Sequence, residues 1–128
     1  MVEFKFIEYG TDFGTRDMGM KLREKLLPLI KENDKVVLDF TGVNVVSNSF
    51  ADECIAKLLL DMPLSELKQH TTFRGLNPMA ERSVLVALQR RYKVLKTSYD
   101  AWKQQVSAAS KDTDVTDVTD VTDVTDVS

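Results

Sequence analysis

A chain of 128 residues with 43% hydrophobic and 29% charged side chains has the size and composition of a single folded domain. Its longest apolar runs are only a few residues, which excludes a membrane-spanning helix, and its first residues lack the basic and apolar regions of a secretory signal peptide. The net charge of −3 combines an acidic end, with six Asp and no base in residues 112–128, and a mildly basic remainder. That remainder has 17 basic and 14 acidic side chains, a balance too small to indicate nucleic-acid binding.

Cys54 is the only cysteine, so no internal disulfide can form and the sequence fits a reducing compartment. We therefore expect a cytoplasmic protein that is not associated with a membrane. Because Cys54 lies inside an apolar helical pattern, we interpret it as a packed core thiol and not as a reactive one.

The first third of the chain predicts a strand, a helix and a second strand. Residues 4–7 alternate between apolar and polar side chains, which is typical of a peripheral strand. After a turn at residues 10–14, Thr15 can cap a helix, and Pro28 predicts a kink or an early end of that helix. Its apolar stripe repeats at intervals of three and four residues: Met18, Leu22, Leu26, Leu29 and Ile30. The mainly apolar run at residues 36–40 indicates a strand buried on both faces.

The middle of the chain predicts a loop and a second helix. The loop spans residues 41–48, and the helix ends at residues 62–63, where Met is followed by Pro. The apolar stripe of this helix is Phe50, Ala51, Cys54, Ile55, Leu58 and Leu59. Residues 65–68 can add a short turn of helix.

The last folded part predicts a third strand and two helices. The strand spans residues 71–74, and Asn77 followed by Pro78 opens the next helix. A final amphipathic segment at residues 99–109 carries Trp102 and Val106. The alternation of strands and helices predicts an α/β fold with a small, mainly parallel or mixed sheet and helical crossovers. Ligands of such folds bind at the carboxyl ends of the strands.

Residues 113–127 are five copies of Thr-Asp-Val. A period of three fits neither a strand nor a helix, and one small apolar residue in three cannot bury enough surface to offset the entropy of ordering. We therefore predict one domain at residues 1–111 and a disordered tail at residues 112–128, which folding does not need.

The motifs of the common enzyme classes are missing. The sequence has no phosphate-binding loop and no dinucleotide-binding glycine pattern. His70 is the only histidine and Cys54 the only cysteine, which argues against a Cys/His zinc site and against a catalytic triad. We expect a protein that is not an enzyme and that needs neither a metal nor another cofactor.

One segment carries a resemblance to a known family. Residues 37–53, with Asp39-Phe40 and the run from Ser49 to Glu53, resemble the STAS domains of sulfate transporters and anti-sigma-factor antagonists. The sequence is more similar to STAS-like relatives of unknown function. Those relatives share Gly14-Thr15-Arg16, Gly19, Leu22, Arg23 and Ser49-Phe50-Ala51-Asp52-Glu53. The likeness covers roughly residues 11–91.

The resemblance implies a regulatory protein that binds a partner. In the bacterial antagonists, a Ser at the start of the helix after the Asp-Phe strand is phosphorylated by a partner kinase of the histidine-kinase ATPase fold. The aligned position here is Asn48, which has no hydroxyl, so Ser49 or Ser47 would have to serve. We nevertheless expect Ser49 to stay unmodified, because Asp52 and Glu53 would repel a phosphate in the same helical turn.

The helix start supplies the candidate partner-binding residues. Ser49 is predicted to cap the helix, with Asp52 completing a capping box. Asp52 and Glu53 lie off the apolar stripe and are expected to be exposed, either as a solvated face or as an acidic contact for a partner. Glu53→Lys should then weaken association and leave folding nearly intact. Asp39 is expected to accept amides of the following turn, or else to shape the edge that faces the partner.

Basic residues suggest an alternative function. Arg16 and Arg23, seven residues apart on the first helix, could hold a nucleotide or another anion together with the loops at the strand ends. Gly19 between them permits close packing against that helix. Arg90 and Arg91 give the third helix a basic end, which complements the helix dipole or contacts an anion. A third hypothesis, an enzyme that uses Asp39, Asp52 and Glu53, lacks a base or nucleophile motif.

Overall fold

The computed structural model describes residues 1–103. Predictions for Val106, for a domain end at residue 111 and for the tail lie outside the described residues. The strands are β1 (Val2–Lys5), β2 (Asp12–Phe13), β3 (Val36–Asp39), β4 (Val45–Val46) and β5 (Thr71–Arg74). The α-helices are α1 (Arg16–Glu32), α2 (Asn48–Cys54), α3 (Leu64–His70), α4 (Pro78–Tyr92) and α5 (Lys96–Lys103). Two 3₁₀ helices lie at Phe6–Tyr9 and Ala56–Leu60.

The strands form two small parallel sheets. One has the order β1-β3-β5, so that Leu38 in the middle strand lies opposite Phe4 on one side and Phe73 on the other. The other pairs β2 with β4. The expected α/β fold with a mainly parallel sheet is therefore confirmed, and so is the peripheral position of the first strand.

The core lies on the sheet and between the helices, and its largest side chains are aromatic. All four residues of β3 are buried. Phe6 stacks on Phe40, with ring centroids 4.0 Å apart. At the other end of the sheet, the Trp102 ring packs against Phe73 and its Nε1 donates to the Oγ1 of Thr71 at 3.1 Å. The last described helix is thus fixed to the edge strand β5.

Local signals predicted several element boundaries correctly. The Thr15 Oγ1 accepts a hydrogen bond from the Met18 amide, and the Asn77 Oδ1 accepts one from the Ala80 amide, so both residues cap their helices. The expected early end of α1 at Pro28 is wrong, because the helix continues to Glu32.

Three expectations about the middle of the fold need correction. The turn at residues 10–14 and the loop at residues 41–48 each contain a two-residue strand, and these strands pair with each other. The second helix is not continuous: α2 ends at Cys54, and a 3₁₀ helix follows it.

Within residues 1–103, no helix combines the length and the apolar composition that crossing a bilayer requires.

Candidate functional site

The short helix α2 lies between α1 and α4 and is buried on nearly every side. Phe50, Cys54 and Asp52 all point into packed surroundings, and Asp52 and Glu53 are only 8% and 7% exposed. The expectation that these two carboxylates are exposed is therefore wrong. The reason is the close approach of α1 at Gly19, where an added Cβ would lie 2.8 Å from the Glu53 Cβ. This confirms the predicted packing role of Gly19.

Asp52 joins three helices through two arginines. Arg91 of α4 donates from Nε and Nη2 to the two Asp52 oxygens at 2.6 and 2.7 Å. Arg16 of α1 donates from Nη1 to Asp52 Oδ2 at 2.8 Å. The hydrogen bonds from Arg91, opposed by burial and reinforced by Arg16, lower the pKa of Asp52 from 3.8 to about 2. Asp52 is therefore a permanent anion near neutral pH.

Glu53 is surrounded by three bases. Its carboxylate lies 3.1 Å from Arg23 Nη2, 3.0 Å from Lys57 Nζ and 3.3 Å from Arg16 Nη1. Burial alone would raise the pKa of Glu53, but Lys57, Arg16 and Arg23 outweigh it, so the pKa lies below its ordinary value. Arg16 and Arg23 thus hold one of the protein's own carboxylates, and their binding of a free anion stays a prediction.

The start of α2 is capped by a different serine from the one predicted. The Ser47 Oγ accepts the Phe50 amide at 3.0 Å, whereas Ser49 lies inside the helix and is half-buried. Asp52 takes part in an interhelical ion pair and not in a capping box with Ser49. Asn48, the position aligned with the phosphorylated Ser of the antagonists, is exposed.

A groove opens beside this helix start. It has a volume of about 490 Å³ and is lined by Arg16, Asn48, Ser49, Asp52, Val86, Ala87, Arg90 and Arg91. Three arginines and one aspartate give this lining a net charge of +2. The side chains of Arg16 and Arg91 keep 54% and 36% exposure beside their ion pairs. Arg90 is exposed and has no ion pair within residues 1–103.

The groove therefore unites some of the predicted residues and adds others. Ser49, Asp52 and Arg16 line it, whereas Glu53 and Arg23 lie in the adjoining ion-pair cluster. The sequence predicts that Arg90 and Arg91 form a basic helix end, but it does not predict their position in the groove. No local signal could place them there, since Arg91 and Asp52 are 39 residues apart in the chain.

Asp39 lies at a different place, at the end of β3. Its Oδ1 accepts the Thr41 amide at 2.9 Å, and its Oδ2 lies 3.5 Å from Arg74 Nη1. Burial opposes ionisation, but the Thr41 hydrogen bonds and the Arg74 charge outweigh it and lower the pKa of Asp39. The predicted role as acceptor for the following turn is confirmed, and Asp39 does not line the groove.

Neither Cys54 nor His70 lines this groove. Cys54 is fully buried, and burial raises the pKa of its thiol, as expected for a core residue. The His70 Nδ1 lies near the backbone oxygens of Asn33 and Asp34. Among residues 1–103, no group of three or more His, Cys, Asp or Glu side chains is placed to hold a metal ion.

Comparison with known proteins defines the class of this domain. A family profile described as "STAS-like domain of unknown function (DUF4325)" matches residues 18–81, which is half of the 128-residue chain. The chain belongs to this family. The match includes Ser49, Asp52 and Glu53 but ends before Arg90 and Arg91. No curated protein and no solved structure matches the chain.

Proposed function

We propose that this protein is a non-enzymatic regulatory module that binds a protein partner through the groove between α1, α2 and α4. The observation that carries the proposal is the arginine-lined opening of about 490 Å³ at the start of α2. The partner we propose is a histidine-kinase-type ATPase, which the resemblance to anti-sigma-factor antagonists suggests.

The position of the groove supports a partner-binding role. The resemblance implies that the start of the helix after the Asp-Phe strand faces the partner, and Asn48 and Ser49 of that helix line the groove. A net charge of +2 on the lining favours an acidic surface on the partner. Arg90 is exposed and can form a new ion pair without breaking one within residues 1–103.

The chemistry of the groove favours binding over catalysis. Its single carboxylate, Asp52, has a pKa of about 2 because Arg91 and Arg16 hold it. Such a group is a poor general base at neutral pH, since an effective base has a pKa near the working pH. The guanidinium groups beside it are suited to recognising an acidic group.

A second candidate is a module that binds a small anion, favoured by the same three arginines. The anion site predicted from the sequence used Arg16 and Arg23. Arg16 lines the groove, whereas the Arg23 side chain is only 19% exposed and is bonded to Glu53. Among the described residues, the apolar part of the groove lining is Val86 and Ala87, and no aromatic ring is present there to stack on a nucleotide base. A protein surface therefore fits this groove better than a nucleotide does.

The test is a calorimetric titration with a purified histidine-kinase-type ATPase from the same genome. Arg90→Glu should weaken binding about tenfold or more, because it reverses one of three positive charges. Arg82→Glu is the matched control, since Arg82 is exposed on the same helix and does not line the groove. Equal affinity of both variants for the ATPase would mean that the partner binds elsewhere. If inorganic phosphate alone, at millimolar concentration, displaces the ATPase, the small-anion module is favoured.

A further inference from the structure

The groove and the C-terminal acidic segment carry charges of opposite sign. The groove lining carries +2, whereas residues 112–126 contain six Asp and no base. We propose that the Thr-Asp-Val repeat, residues 113–127, binds the groove of its own chain and competes there with other acidic segments. The regulatory meaning of this competition rests on the proposed function, because it makes the repeat an internal inhibitor of partner binding.

The groove has hydrogen-bond donors left for incoming carboxylates. Arg16 uses only Nη1 for Asp52 and Glu53, and Arg91 uses Nε and Nη2 for Asp52. A guanidinium has five N–H donors in all, so both side chains keep donors that no carboxylate within residues 1–103 uses. Arg90 adds a whole guanidinium without an ion pair in residues 1–103. Carboxylates are the preferred partners of such a planar donor set.

The repeat has a composition suited to this surface. Each copy supplies one Asp, and the residues between the carboxylates are only Thr and Val, so no base within residues 113–127 competes with the arginines. Successive Asp residues are about 10 Å apart in an extended chain. The five identical copies allow several equivalent registers on the groove, which multiplies the statistical weight of the bound state.

The covalent connection makes a weak contact sufficient. The described chain ends at Lys103, and the first repeat begins ten residues later. The 24 residues from 104 to 127 span up to about 80 Å when extended, whereas the path around one half of a globule with a radius of gyration of about 13 Å is only about 50 Å. The repeat can therefore reach any face of its own domain. Its effective concentration is then in the millimolar range, comparable with the dissociation constants expected of a few exposed ion pairs.

The experiment compares two full-length chains. In the second chain, every Asp of the acidic end is replaced by Asn: Asp112, Asp114, Asp117, Asp120, Asp123 and Asp126. The probe is a fluorescent synthetic peptide of five Thr-Asp-Val repeats, followed by anisotropy at low salt. The neutralised chain should bind this peptide about twofold or more tightly than the natural chain, because its own tail no longer competes. Adding Arg90→Glu to the neutralised chain should abolish binding, and adding Arg82→Glu should not.

Three results would overturn the proposal. Equal peptide affinity of the two chains would mean that the tail does not occupy the groove. Absence of peptide binding by the neutralised chain would mean that the groove does not accept acidic segments. If the molecular mass in solution doubles as the protein concentration rises, and does so only for the natural chain, the tail binds the groove of a second copy and not that of its own chain.

The proposed function can fail separately from this inference. If Arg90→Glu weakens ATPase binding but tail neutralisation leaves it unchanged, the partner site stands and the internal competitor is wrong. If the peptide results are as expected but Arg90→Glu leaves ATPase affinity unchanged, the tail binds the groove and the partner binds elsewhere.

Discussion

At the scale of single residues, Glu53 depends on two bases of α1 and on one base of the 3₁₀ helix that follows α2. Its carboxylate lies within 3.3 Å of the basic groups of Arg16, Arg23 and Lys57. Glu53 as a whole residue is only 7% exposed. A Lys at this position would be a buried cation among cations. We predict that Glu53→Lys lowers the free energy of unfolding by about 3 kcal/mol, measured by urea denaturation.

The matched control for this change is Glu24→Lys on the exposed side of α1, which should cost about 0.5 kcal/mol or less. Similar losses in both variants would contradict the buried cluster. Because Glu53 is buried, Glu53→Lys changes the stability of the fold, and the expectation that it leaves folding nearly intact is wrong. Arg90 is the better probe of the groove, since it is exposed and has no partner within residues 1–103 to lose.

Asp52 gives the stability of the protein a predicted dependence on pH. Its pKa is about 2 in the folded protein and near 3.8 when unfolded, so ionised Asp52 stabilises the folded state. The contribution, about 2 kcal/mol, is complete above pH 4 and is lost as the pH falls from about 4 to about 2. Asp52→Asn should therefore be less stable at pH 7 and should lose less stability over this acid range.

Urea denaturation at pH 7 and in steps from pH 4 to pH 2 measures this effect. The control is Asp61→Asn, because Asp61 is exposed at the end of the 3₁₀ helix that follows α2. If the free energy of unfolding falls with pH in parallel for the natural protein and for Asp52→Asn, the assigned ion pairs of Asp52 are contradicted.

The sequence predicts residue roles where the cause is local. Thr15 and Asn77 cap helices through amides three residues later, and Asp39 accepts an amide two residues later. The burial of Asp52 and Glu53 could not be predicted, since their arginine partners lie 30 to 39 residues away in the chain. Asp52 and Glu53 also repel an anion near Ser49 less than the sequence predicts, because both carboxylates are paired with bases.

At the scale of elements, the contact between α1 and α2 is fixed by one glycine. A Cβ on Gly19 would lie 2.8 Å from the Glu53 Cβ and 3.1 Å from the Phe50 oxygen. Alanine favours a helix over glycine by about 1 kcal/mol. We predict that Gly19→Ala still destabilises the protein, by about 1–2 kcal/mol, because it forces α1 and α2 apart.

Thermal denaturation of Gly19→Ala beside Gly14→Ala tests this prediction. Gly14 precedes α1 and has open space around its Cα, so alanine there should leave the melting temperature nearly unchanged. A stabilised Gly19→Ala variant would show that helix propensity outweighs the close approach.

Elements with a strong pattern were predictable, and those made by pairing were not. The buried strand β3 and the capped helix α4 follow from an apolar run and from Asn77-Pro78. Strands β2 and β4 have two residues each, which is too short for any periodicity to appear. They exist because Phe13 and Val46 lie side by side in the folded chain, a relation that single-sequence patterns do not contain.

At the scale of the whole molecule, the described fold ends in a packed helix. Trp102 is fully buried, and its indole donates to Thr71 at the start of β5. We predict that a chain truncated after Lys111 melts within a few degrees of the full chain, because Trp102 already belongs to the described core and the sequence of residues 112–128 has no apolar stripe to bury. Circular dichroism melting curves of the two chains measure this. A large fall in melting temperature with loss of helical signal would show that folding needs residues 112–128.

The central claim is that a partner binds the arginine-lined groove, and chemical-shift mapping by NMR tests it most directly. The isotope-labelled protein is titrated with the unlabelled histidine-kinase-type ATPase. The account predicts that the amide signals of Asn48, Ser49 and Arg90 shift or broaden, because these residues line the groove. Glu3 and Arg74, which pair with each other on the sheet, should be unaffected. Perturbation of Glu3 and Arg74 with unchanged groove signals would contradict the claim.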